Sequence, residues 1–110
     1  MEHLDNKLIV VLGHQNSGAV TAALLPPNQT EKEPPELGKL LDRIRPAIAP
    51  VERNQARQQL IAAAVEANVR ASVRQLRQVS SIATAIKEKN VQVVGAEYHI
   101  DSGKIMFLDE

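Results

Sequence analysis

The chain is 110 residues long, with thirteen basic side chains against thirteen acidic ones, no cysteine and an aromatic share of 2%. Balanced charge gives no long-range field to gather nucleic acid or an anionic membrane. The lack of cysteine excludes disulfides, thiolate nucleophiles and cysteine-ligated metals. That length fits one domain over residues 1–110 with one core. With only Tyr98 and Phe107 as aromatics, the core must be built from Val, Ile, Leu and Ala. Such a core is small per residue, and a partner chain is expected to complete it. No apolar run is long enough for a transmembrane helix. The start, Met1-Glu2-His3-Leu4-Asp5, is charged and lacks a signal-peptide core. A cytoplasmic protein is the expectation.

In chain order, Lys7–Leu12 (KLIVVL) is a continuous apolar, β-branched run. It reads as a strand covered on both faces in a parallel sheet. The glycine-flanked stretch Gly13–Gly18 (GHQNSG) interrupts it, and Ala19–Leu25 has helix-forming character. Prolines 26, 27, 34 and 35 bracket a polar surface loop. Over Glu36–Arg45 the spacing of Leu37, Leu40, Leu41 and Ile44 makes one apolar helix face. Pro46 is expected to end that helix, and Pro50 to keep the following stretch extended.

Asn54–Val79 carries the longest helical pattern. Ile61, Val65, Val69, Val73 and Leu76 form one stripe, and Arg70, Arg74 and Arg77 lie on another face. Ser80 or Ser81 is expected to cap a short helix reaching Lys89. Val91–Ile100 reads as a second strand, Asp101-Ser102-Gly103 as a turn with a positive φ at glycine, and Lys104–Leu108 as the returning strand of a hairpin. The predicted class is α/β: a parallel pair separated by helices, with the last strand antiparallel at the edge.

Gly13–Gly18 lies at the carboxyl end of a strand and opens a helix, where α/β folds bind ligands and free N–H groups favour an anion. Gly13, His14, Asn16, Ser17 and Gly18 are therefore the candidate anion-binding residues. A nucleoside triphosphate loop is disfavoured, because Ala19 and Val20 stand where Lys and Ser or Thr are required.

Residues 8–24, LIVVLGHQNSGAVTAAL, resemble the second zinc-ligand segment of β-class carbonic anhydrases. There the pattern runs (V/I)-(V/L)-G-H-x-x-C-G-A-(V/M), and its His and Cys both bind zinc. His14 matches the histidine, and Ser17 stands at the cysteine position. Leu40–Pro46 (LLDRIRP), Asn68-Val69-Arg70 and Val93–Leu108 (VVGAEYHIDSGKIMFL) resemble the family's middle helix, long helix and closing hairpin, in the family's order. Met1–Leu4 resembles the end of the helix that precedes the histidine strand.

The resemblance implies a β-carbonic-anhydrase-like fold without the family's first two strands. With them would go the first Cys ligand and the Asp–Arg pair of its C-x-D-S-R segment. It implies zinc as the family's metal, CO2 hydration as its reaction, and dimers or dimer-based oligomers. One histidine and a neutral serine hydroxyl are a poor substitute for that ligand set. The expectation is a catalytically impaired, zinc-free homologue that associates with itself or with a full-length relative. An active enzyme with an unusual or shared metal site and a metal-free bicarbonate binder stand as alternatives.

The bland reading of His14 is a hydrogen-bonded loop histidine; that of Ser17 is a helix cap, since no acidic group in the loop would orient a Ser–His pair. His3 and His99 have no spacing that forces a shared metal site. The arginine stripe reads as a solvated face or a contact for an acidic partner. Tyr98 reads as hairpin packing, with a bicarbonate role implied only weakly by the resemblance.

Overall fold

A computed structural model describes residues 7–109. Strand β1 (Lys7–His14) leads through a short loop into helix α1 (Gly18–Ala23). A single 3-10 turn at Pro27–Gln29 precedes α2 (Pro35–Ile48), α3 (Arg57–Gln78), α4 (Ser80–Glu88), β2 (Val91–His99) and β3 (Lys104–Phe107). The sheet order is β1-β2-β3. β1 and β2 are parallel, in register from Lys7↔Val91 to His14↔Tyr98. β3 returns antiparallel, from Ala96↔Phe107 to His99↔Lys104, through a turn with Gly103 at φ 73°. The expected class, the parallel pair and the closing hairpin are all present. The helix resembled by Met1–Leu4 lies outside the described residues.

Two clusters of buried side chains share α3. One joins α1, α2 and the first half of α3 through Val20, Ala23, Leu41, Ile44, Ile48, Ala64 and Val65. The other joins the second half of α3 to the sheet through Val69, Val73 and Val93, with Ile9, Val11, Leu76, Ile82 and Ile86 packed around them. The i+4 spacing of Val65, Val69 and Val73 puts all three on one side of the helix. Their line continues from one cluster into the other.

Several expectations require correction. β1 does not stop at Leu12. Gly13 and His14 extend it, in register with Glu97 and Tyr98, because the glycine marks a close approach rather than a break. A Cβ on Gly13 would sit 2.5 Å from Val69 Cγ2, and one on Gly95 would sit 2.8 Å from Val69 Cγ1. Pro46 lies inside α2, which runs on to Ile48. A proline there removes one intrahelical donor, and the continuation buries Ile48 completely. Pro50 sits in a turn closed by Val51 N–H donating to Ile48 O at 3.0 Å, so that stretch is not extended. Neither Ser80 nor Ser81 caps α4. Val79, in an extended conformation, is the joint between α3 and α4, with no side-chain cap. The proline-bracketed loop is held by buried Thr30, whose hydroxyl donates to Pro27 O at 3.1 Å and accepts from Arg45 Nη2 at 2.9 Å.

β1 is also not covered on both faces. Ile9 and Val11 face α3 and are half-buried, whereas Leu8 and Leu12 are 54% exposed. Side chains alternate along a strand and register partners share a face. The open face therefore carries Leu8, Val10, Leu12 and His14 of β1, Gln92, Val94, Ala96 and Tyr98 of β2, and Ile105 and Phe107 of β3. Ile105 is 51% and Phe107 61% exposed.

Gly95→Ala is expected to destabilise the fold by about 1–3 kcal/mol in urea unfolding, since the added methyl collides with Val69. Gly38→Ala, within α2 with nothing near its Cβ position, is expected to stabilise by about 0.5–1 kcal/mol.

Candidate functional site

The strand end, its loop and the following helix assemble from local hydrogen bonds. His14 is the last residue of β1 and is exposed. Its Nδ1 lies 2.9 Å from Gln15 O. A carbonyl only accepts, so Nδ1–H is the donor in this contact. Gln15 N–H donates to Tyr98 O at 3.0 Å and prolongs the β1–β2 ladder. Its side-chain Oε1 accepts from Asp101 N–H at 3.3 Å, tying the loop to the hairpin turn. Asn16 turns the chain at φ 58°, a left-handed conformation that Asn tolerates.

Ser17 is the N-cap of α1: its Oγ accepts from Val20 N–H at 3.2 Å. Its carbonyl accepts from Thr21 N–H at 3.0 Å and from Thr21 Oγ1 at 2.7 Å. The helix that follows is only six residues long, so little dipole gathers at the loop. Gly13 belongs to the strand and Gly18 to the first position of α1. The five candidate anion residues thus run from the end of β1 to the first position of α1, and of them only Asn16 lines the neighbouring cleft; Val20 N–H, a donor of the first turn, is spoken for by Ser17.

Beside this loop a cleft of about 350 Å³ opens between α3 and the carboxyl end of the sheet, lined by Gln15, Asn16, Val65, Glu97, His99 and Asp101. Glu97 and His99 alternate on β2 and share the face toward α3. Burial pushes the Glu97 carboxyl up from its ordinary range, and the Glu66 carboxylate adds to this. His99 and Arg70 oppose it. Sequence reasoning did not single out Glu97 or Asp101. The i, i+2 spacing of Glu97 and His99 was the available signal, but their approach to the loop depends on the β1–β2 register. His3 lies outside the described residues.

The carbonic anhydrase family profile matches residues 1–105. The chain belongs to the carbonic anhydrase family. Its fold is similar to that of the Coccomyxa β-carbonic anhydrase solved with acetazolamide (24% identity, 99% of this chain and 50% of that one, TM-score 0.81). It is also similar to the β-carbonic anhydrase CafA of Aspergillus fumigatus (30% identity, 97% and 50%, TM-score 0.80). A third is a tetrameric β-carbonic anhydrase of Sordaria macrospora (23% identity, 98% and 55%, TM-score 0.81). The chain therefore spans about half the length of the solved structures it matches. No curated protein matched the sequence.

Zinc is the metal of this family, and the residues around His14 do not fit it. Structural and catalytic zinc sites take at least three protein donors from Cys, His, Asp and Glu. Among the described residues no group of three such side chains is arranged to hold a metal ion. The Ser17 hydroxyl is neutral and engaged with Val20 N–H. No helix of the described residues is long and apolar enough to cross a membrane.

Two outcomes follow from these contacts. Ser17→Ala is expected to lower stability by about 1 kcal/mol through loss of the cap, read by thermal or urea unfolding. A carboxyl whose pKa is raised by folding stabilises below its unfolded pKa, and that contribution is lost as pH rises through the folded value. Glu97→Gln is therefore expected to melt at the same or a higher temperature than the native chain at pH 7–8, and to show a flatter fall in stability as pH rises above the usual carboxylate range.

Proposed function

We propose that this chain is a zinc-free, non-catalytic carbonic anhydrase homologue that associates with a second copy of itself, or with a full-length relative, in a structural or regulatory role. The observation that carries the reading is Ser17. It stands at the position of a zinc thiolate, and its hydroxyl works as the cap of α1. A serine hydroxyl does not ionise near neutral pH as a thiol beside a metal does. Without zinc, water is not turned into hydroxide at neutral pH. His14 is exposed at the end of β1, but one imidazole is a weak site.

The open sheet face supports the association. Ten side chains from three strands lie on it, eight of them apolar or aromatic, and among the described residues no strand lies beside the outer edge of β1. A bare apolar face bounded by an unpaired edge is an aggregation hazard unless another chain covers it. Among similar structures, the β-carbonic anhydrases of Sordaria macrospora are tetrameric, which is consistent with a family that assembles.

Zinc per chain by elemental analysis, with CO2 hydration assayed on the same sample, tests the reading. The expected result is no stoichiometric zinc and no hydration above the uncatalysed rate. About one zinc per chain with activity would overturn it and favour an active carbonic anhydrase whose metal is held by donors beyond this loop.

A further inference from the structure

We infer that the arginine stripe of α3 forms a binding site for a small aliphatic carboxylate, separate from the His14 loop. Arg70, Arg74 and Arg77 recur at helical spacing on α3 and line a cavity of about 210 Å³ with Val73, Val94, Gly95 and Leu108 as its apolar wall and Asp109, paired to Arg70, at one side. Two of the three arginines are fixed. Arg70 Nε donates to Glu66 Oε2 at 2.9 Å, and its Nη1 and Nη2 donate to the carbonyl and carboxylate of Asp109. The Glu66 hydrogen bond, ahead of the smaller contribution of Asp109, raises its pKa. Arg77 Nη2 donates to Val93 O at 2.6 Å, on the stretch of β2 that β3 does not reach. Arg74, one turn from each, has no hydrogen-bond or ion-pair partner among the described residues.

A free guanidinium presents a planar fork of donors that matches a carboxylate in two parallel hydrogen bonds. Arg70 is neutralised by Glu66 and Asp109, which leaves the Arg74 fork as the donor set open to a ligand. The cavity holds roughly the volume of seven liquid waters at about 30 Å³ each, well below a drug-sized pocket. That room suits a carboxylate with a short alkyl tail, with the charge at Arg74 and the tail against Val73 and Leu108.

Butyrate is the probe, with butyramide as its uncharged isostere, titrated into the full chain while backbone amide shifts of Val94, Gly95 and Leu108 are followed by NMR. Butyrate is expected to shift these amides saturably and butyramide to leave them in place. Arg74→Ala is expected to weaken butyrate at least about tenfold with an unchanged melting temperature, and Arg74→Lys to restore only part of the affinity, because an ammonium lacks the fork. Equal affinity in Arg74→Ala, equal shifts with butyramide, or no saturable shift with butyrate would each overturn the assignment. Loss of zinc-free status would not bear on it, because Arg74 is remote in sequence from His14 and Ser17.

Discussion

Helix α3 can lie on the sheet only because two strands lack a Cβ beneath it. Val69 projects over Gly13 of β1 and Gly95 of β2, where any larger residue would meet its two methyl groups. Burying such a side chain is worth about 1.5–3 kcal/mol, but its geometric consequence is larger. The contact fixes the depth of α3 against both strands. The line Val65–Val69–Val73 then carries the packing from the helical cluster to the sheet cluster. Everything at the carboxyl end of the sheet inherits that placement: the loop from Gln15 to Ser17, and the cleft holding Glu97 and His99 beside it.

The same docking leaves the molecule one-sided. α3 and α4 cover the face that carries Ile9, Val11 and Val93. Leu8, Leu12, Ile105 and Phe107 on the other face remain largely exposed. Ala96, flanked in register by Leu12 and Phe107, is the fully buried exception on that face. The protein thus pairs a well-packed helical layer with an apolar sheet surface that water should not wet. An account in which the chain works as an associating homologue joins this surface to a serine whose hydroxyl caps α1.

Much of the architecture was legible in the sequence. The β-branched runs, the turn at Asp101–Gly103 and the helical stripe from Ile61 to Leu76 carry period and turn chemistry that depend on local physics. What was not legible depends on tertiary contact. Lys7–Leu12 is apolar at alternate and intervening positions alike, so its pattern has no period to say which face is covered. Gly13 reads as a strand break until Val69 is seen above it. Pro46 reads as a helix stop until Ile48 is seen buried beyond it. In the site, the motif around His14 and Ser17 was readable from residue order. The approach of Glu97 and His99 to that loop needed the strand register, and the arginine stripe was readable as a stripe without the cavity it lines.

The central claim is association through the open sheet face, and a second copy of the chain is the partner that can be tested directly. Sedimentation equilibrium over a wide concentration range, run on the native chain and on a variant carrying Leu12→Lys and Phe107→Lys, tests it most directly. The account predicts a dimer or larger assembly for the native chain and a shift to monomer in the variant, with the helical circular dichroism retained. A native chain that stays monomeric and stable at every concentration would contradict it.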